Sequence, residues 1–258
     1  MKKYLYLLLF ITKLLFSEQI DMVSIYPSDP DIPPFQVAKT AVTQELFKEI
    51  MTYNRSVFSI DTHPVESVSW YEALVFCNLL SVSHNLEPVY IYHRKRDRSD
   101  APLKDVYEWM AGWGGIASTR NALWDRITID ESANGYRLLH MDEWEYLYDR
   151  LSETIKNDIE NYAWIYSNSE NRTHPVGAKL PDNNGLYDFL GNVKEWLFEE
   201  RGHLGERYFR YNTDEQESFY NSLGYKKFNY REFVSIPNDN GLRYVTRNSV
   251  VGFRIARN

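Results

Sequence analysis

Cys77 is the only cysteine in a chain of 258 residues, so no intrachain disulfide can brace the fold. The N-terminus makes that restriction matter. "MKKYLYLLLFITKLLFSEQ" opens on Lys2 and Lys3, continues as an apolar run broken by Lys13, and reaches a small residue at Ser17. This is the pattern of a signal peptide over residues 1–17, and it predicts an exported protein, whether periplasmic, secreted or held at the cell surface. Retention as an uncleaved anchor is the alternative. The run from Tyr4 to Phe16 falls short of the ~20 residues a helical span needs, which favours cleavage. No cysteine stands beside Ser17, which excludes a lipid-modified anchor there, and no later stretch is apolar for long enough to span a membrane. Outside the cytoplasm, a chain without disulfides must be held by its core or by a bound ion.

The material for that core is aromatic. The chain carries 20 Tyr, 13 Phe and 7 Trp, a density found in loop-rich folds pinned by rings and in binding surfaces. A net charge of −7 removes any global electrostatic case for nucleic acid.

Regular elements are few. Residues 18–34, with "YPSDPDIPP", read as an extended lead-in rather than a packed element. "FQVAKTAVTQELFKEIMTYN" reads as a short strand and a helix, with Thr43 as N-cap and Leu46, Phe47, Ile50 and Met51 on one face. "HPVESVSWYEALVFCNLLS" is a clearer helix, because Ser69 and Glu72 have capping-box spacing and Ala73, Leu74, Cys77 and Leu80 form a stripe. Cys77 is therefore expected to be an inert core thiol. "EPVYIY" reads as a strand. "NGYRLLHMDEWEYLYDRLS" reads as turn, strand and helix, with Trp144, Leu147, Tyr148 and Leu151 on one face, and "VVGFRIARN" as one alternating terminal strand. No linker divides the chain, so residues 35–258 are expected to form one domain.

The densest segment is "NGLYDFLGNVKEWLFEE" at residues 184–200, where Asp188 and Glu195 flank Gly191 and Asn192. Ca²⁺ takes six to eight oxygens from carboxylates and carbonyls, and a glycine turn between two acids suits it. The plainer alternative has Glu195 capping backbone amides and Gly191 making only a bend.

Taken in order, "VTQELFKEIM", "HPVESVSWYEALVFCNLLS", "NGYRLLHMDEWEYL", "HPVGAKLPDNNGLYDFLGNVKEW" and "VGFRIAR" resemble the formylglycine-generating enzyme, or sulfatase-modifying factor, domain family over roughly residues 35–257. The resemblance implies an α+β, loop-rich fold related to the C-type lectins and stabilised by calcium. Carried over by motif position, it implies one Ca²⁺ site made by the side chains of Asp188 and Glu195 and the backbone carbonyls of Gly191 and Val193. No convincing match exists for the family's second calcium site.

The family's enzyme oxidises a substrate cysteine with copper(I) held by two cysteines near its C-terminus. Here "REFVSIPNDNGLRYVTRNSVVGFRIARN" holds no cysteine, and Cys77 belongs to an early helix. Soft Cu(I) needs thiolates that carboxylates cannot replace. Copper is therefore not expected, and formylglycine generation is not either. The six histidines (63, 84, 93, 140, 174 and 203) show no metal-ligand spacing, and no serine-hydrolase or phosphate-loop motif occurs.

Two segments are unusual against the family pattern. An insert at about residues 94–125 opens with Arg94, Lys95, Arg96 and Arg98 and carries Trp109, Trp113 and Trp124. Residues 206–233 are rich in rings, among them Tyr208, Tyr211 and Tyr220, and fall where relatives place their substrate groove or variable ligand-binding loops. Tyr binds well because its broad face costs little rotamer entropy. Tyr208, Tyr211, Tyr220, Trp109 and Trp113 are thus candidate ligand contacts; the alternatives are rings that pin an irregular loop to the core at 206–233, and a solvated basic turn followed by a small helix packed on the body in the insert. The sequence favours an exported, calcium-stabilised binding module, a pseudoenzyme of the cell envelope that takes a protein, peptide or glycan. An enzyme with a changed, non-cysteine site and a structural subunit of an envelope complex are the other readings.

Overall fold

The central sheet is assembled from segments that lie far apart in the chain. The computed structural model describes residues 19–93, 103, 115–116, 127–165, 167–198, 249 and 251–258. Among these, strands β1 (Met22–Ile25), β2 (Phe35–Ala38), β5 (Arg137–Leu138) and β8 (Ile255–Arg257) form an antiparallel sheet in the order β1-β2-β8-β5. The register places Met22 opposite Ala38, and Ala256 between Val37 and Arg137. Two small pairs accompany it: β3 (Tyr90–Ile91) with β4 (Thr128–Ile129), antiparallel, and β6 (Lys194–Trp196) with β7 (Val251–Phe253), parallel.

The sheet is buried on both faces. Alternate strand residues divide between two apolar clusters: Ala38, Leu138 and Ile255 join one, Val37, Leu139 and Ala256 the other. That is why "YRLL" and "FRIA" lack the apolar-polar alternation of a one-sided strand.

The first cluster is built on helix α2 (Trp70–Ser83). Ser69 Oγ accepts from Glu72 N at 3.2 Å while Glu72 Oε2 accepts from Ser69 N at 2.7 Å, so the expected capping box is present. The expected stripe understates this helix. Trp70, Tyr71, Val75, Phe76 and Asn78 are buried along with Ala73, Leu74, Cys77 and Leu80, and each large side chain so buried stabilises the fold by roughly 1.5–3 kcal/mol. Helix α1 (Gln44–Met51) packs beside it, capped by Thr43, and stacks Phe47 on Phe76 at 5.6 Å.

The second cluster collects α3 (Met141–Asp149), α4 (Glu153–Asn157) and α5 (Ile159–Tyr162) around Trp144, Leu147 and Phe189. At the start of α3, His140 gives no side-chain cap. Glu143 accepts from His140 N at 2.9 Å and receives both terminal nitrogens of the buried Arg137 at 2.7 Å.

Two expectations need correction. The lead-in 18–34 contains β1, which pairs with β2 over its full length, so part of it is an edge strand of the sheet. "VVGFRIARN" is two strands in two sheets, broken at Arg254. The break arises because Arg254, 1% exposed, turns its guanidinium inward toward buried carbonyls.

Candidate functional site

Residues 184–193 form a sharply turned loop that leads into β6. Gly185, Asp188, Gly191 and Asn192 all have left-handed φ, at 85°, 49°, 85° and 58°. Gly191 has no alternative, because a Cβ there would run into the backbone carbonyl of Trp164. The same carbonyl accepts from Asn192 N at 2.8 Å. The Asn192 amide in turn clamps the backbone of His174, accepting from its N–H and donating to its carbonyl at 3.0 Å each. Gly191 and Asn192 thus fasten this loop to segment 164–174.

Asp188 and Glu195, the two acids of the expected cation loop, are 2% and 1% exposed. Glu195 meets Arg254, whose Nε lies 3.1 and 3.2 Å from its two oxygens and whose Nη2 lies 3.0 Å from Oε1. The rest of the guanidinium is spent on carbonyls, with Nη1 donating to Ala38 and Lys39 at 3.0 and 2.7 Å and Nη2 to Tyr187 at 2.8 Å. Asp188 Oδ2 accepts from Gly177 N at 2.8 Å, but Asp188 Oδ1 is buried with no hydrogen-bond partner.

Two carboxyl groups and one guanidinium are therefore buried close together, and Arg254 pairs directly with only one of the two acids, Glu195. Burial pushes the Asp188 carboxyl above its ordinary value, against the pull of the Gly177 N–H and Arg254. Burial also pushes Glu195 up, Arg254 pulls it back, and Asp188 adds to the upward push.

Calcium suits this donor set in two respects: the available donors are hard oxygens, and Asp188 Oδ1 is a buried oxygen with no hydrogen-bond partner. The Gly191 carbonyl already accepts from Val193 N at 2.7 Å, and Glu195 is shared with Arg254. No group of three or more His, Cys, Asp or Glu side chains suitable for a metal occurs among the described residues. An ion here would thus depend on backbone carbonyls and water in addition to Asp188 and Glu195.

Cys77 does not suit copper. It is fully buried in the row of α2, and desolvation pushes its thiol far above the ordinary value. The described histidines serve as packing and hydrogen-bonding groups. His63 Nδ1 lies 2.9 Å from Thr173 Oγ1 and His84 Nδ1 lies 2.9 Å from the Tyr136 hydroxyl. His93 Nε2 approaches Thr128 at 3.3 Å, and His140 packs on Phe198 at 5.6 Å. His174 donates from Nε2 to the Ser169 carbonyl at 2.8 Å and stacks on Trp164 at 3.7 Å.

The model of the sulfatase-modifying factor enzyme 1-like domain matches residues 24–258. The chain belongs to this family. Among solved structures of this type, Treponema denticola variable protein 1 has 27% identity and a TM-score of 0.65, covering 92% of this chain and 94% of its own. CarF, at 21% identity and a TM-score of 0.57, covers 92% of this chain and 96% of its own and supports the fold alone. A curated relative named chaperone protein LppX, from Paenibacillus barcinonensis, is 30% identical over 193 residues. That match takes in 66% of this chain and spans 63% of the relative's length.

The α+β, loop-rich architecture expected from the motifs agrees with these sulfatase-modifying-factor-like structures. No described helix is long and apolar enough to cross a membrane. Tyr208, Tyr211, Tyr220, Trp109 and Trp113, like the signal segment and nearly all of the insert, lie outside the described residues. The nearest described residues on either side of the aromatic segment are 198 and 249. Phe198 stacks on Trp70 at 5.9 Å, and beyond the segment β7 lies alongside β6. Arg254 and Glu66 were missed by sequence reasoning. A charge inside the apolar run "VVGFRIA" is the signal that Arg254 offered.

Proposed function

We propose that this domain is a calcium-stabilised binding module of the cell envelope that has given up the copper chemistry of its family. The observation that carries the reading is the fate of the thiol: the only cysteine of the chain is sealed inside α2, where neither Cu(I) nor a substrate can reach it. Among the described acids, Glu195 pairs with Arg254 and Glu143 with Arg137, which is a structural use of both. What remains for function is recognition by the ring-rich segment around Tyr208, Tyr211 and Tyr220, together with Trp109 and Trp113 of the insert.

The partner class is a protein, peptide or glycan met after export. A relative that bears the name of a chaperone supports a protein or peptide. Calcium bound by Asp188, Glu195 and the carbonyls of Gly191 and Val193 would give the buried Asp188 oxygen a partner and stiffen the loop, with no part in bond making. Two assays test the reading. A sulfatase-derived cysteine peptide incubated with the protein and Cu(I) should keep its mass. Envelope proteins captured by the wild type should be lost with Tyr211→Ala or Tyr220→Ala at unchanged melting temperature. Conversion of the peptide, or capture indifferent to both tyrosines, overturns it.

A further inference from the structure

The segment that links α1 to the start of α2 is held down by a buried acid. Glu66 is fully buried, and no ion pair to it forms among the described residues. Its Oε1 accepts from Phe58 N at 3.0 Å, whereas Oε2 is buried with no hydrogen-bond partner. Its own N–H and carbonyl both meet Ser56 Oγ at 3.2 Å, and the next residue, Ser67, is held at a left-handed φ of 59°. The rest of the loop is gripped by Gln44, which donates to the Phe58 carbonyl at 2.7 Å and accepts from Asn54 Nδ2 and Ile60 N at 2.8 and 3.1 Å. Apolar anchoring is slight, since Val57 and Ile60 are 66% and 50% exposed.

We propose that Glu66 is a pH-operated latch: protonated, it holds residues 54–60 against the body of the domain, and ionised, it releases them. The physical reason is that ionising a buried carboxyl without a counter-charge is costly, and lifting the loop would return it to water. The charged groups on the surrounding elements, among the described residues, form no ion pair with it. Arg55, on the loop itself, points toward Glu72 at 3.9 Å; Glu72, on α2, is held by the Tyr53 hydroxyl and Ser69 N and has the same sign as Glu66. His63 is turned toward Thr173, and Asp61, at the end of the loop, is a further acid.

Burial raises the Glu66 carboxyl above its ordinary value, with the Phe58, Ser67 and Val57 hydrogen bonds pulling back part of the shift. The sign follows. Stability of the closed loop is fully present below the ordinary carboxylate value and is lost as pH rises through the raised one. His63 is shifted down by burial and by its neighbours His174 and Arg172, so it contributes in the opposite direction and cannot imitate the effect.

The test is amide exchange on the full chain across pH 4 to 8, corrected for intrinsic rates, with peptides over 54–60 compared to peptides over α2. Between the ordinary and the raised value, loop protection in the wild type should fall by about tenfold per pH unit and then level off, while α2 stays constant. Glu66→Gln, neutral at every pH, should hold its loop protection flat. A flat wild-type profile overturns the latch even if the variant does not fold, and so does a Glu66→Gln profile that falls like the wild type.

Discussion

Arg254→Met should be among the most damaging single changes this domain can take. The substitution keeps much of the side-chain bulk and deletes the guanidinium, which contacts both oxygens of Glu195 and three backbone carbonyls, those of Ala38, Lys39 and Tyr187. Breaking a buried ion pair from one side costs about 3–5 kcal/mol, since the remaining charge has no compensation. Each stranded carbonyl adds about 1 kcal/mol, though the contributions overlap. Against a typical total of ~5–15 kcal/mol for a domain, the expected loss of at least about 4 kcal/mol leaves the protein marginal at neutral pH. The loss should shrink on acidification, because without Arg254 the buried Glu195 takes up a proton more readily. Urea unfolding followed by tryptophan fluorescence and far-UV circular dichroism, at pH 7 and pH 5, measures both quantities. The double variant Glu195→Gln/Arg254→Met should recover part of the loss, as it removes the stranded charge. A single variant within about 1 kcal/mol of the wild type at pH 7 would refute the reasoning, placing the guanidinium in water rather than in its carbonyl cradle.

Three further outcomes are expected. Millimolar calcium should raise the melting temperature relative to EDTA, by the equivalent of about 2.7 kcal/mol at a hundredfold excess over Kd, and Asp188→Asn should abolish most of that shift. Gly252→Ala should cost about 3 kcal/mol in chemical denaturation, the upper end for overpacking, because its Cβ would meet the Val65 carbonyl, which is rigid backbone. Cys77→Ser should lower stability by only about 1–2 kcal/mol and leave ligand capture unchanged, and the native wild-type thiol should stay unmodified by a thiol reagent until the chain is unfolded.

What could be read from the sequence was what is local. The Ser69–Glu72 box and the Thr43 cap announce α2 and α1 because their partners stand three residues away. Motif order identified the family because its turns need glycine and asparagine at fixed places, as the left-handed Gly191 and Asn192 show. Long-range pairing could not be read. β1 resembled a polar lead-in because its partner β2 begins after a run of prolines and aspartates, and the terminal segment resembled one strand because nothing local shows Arg254 turning toward Ala38, 216 positions away. Glu66 looked like an ordinary acid in "HPVESVSW", since its isolation depends on where Phe58 and Ser56 arrive. For Asp188 and Glu195 the sequence indicated two acids facing one turn, but the internal cation that already serves one of them is a tertiary fact.

The place of β8 in the sheet bears on the order in which the core can be completed. β8 is the last strand in chain order, yet it lies between β2 and β5 and joins them. Until it is inserted, β1 with β2 and the short β5 are separate pieces, and both apolar clusters lack a shared wall. The contacts that finish the core are therefore among the most distant in sequence, which makes the final step slow relative to helix formation. A truncation before residue 255 therefore removes the centre of this sheet rather than its edge.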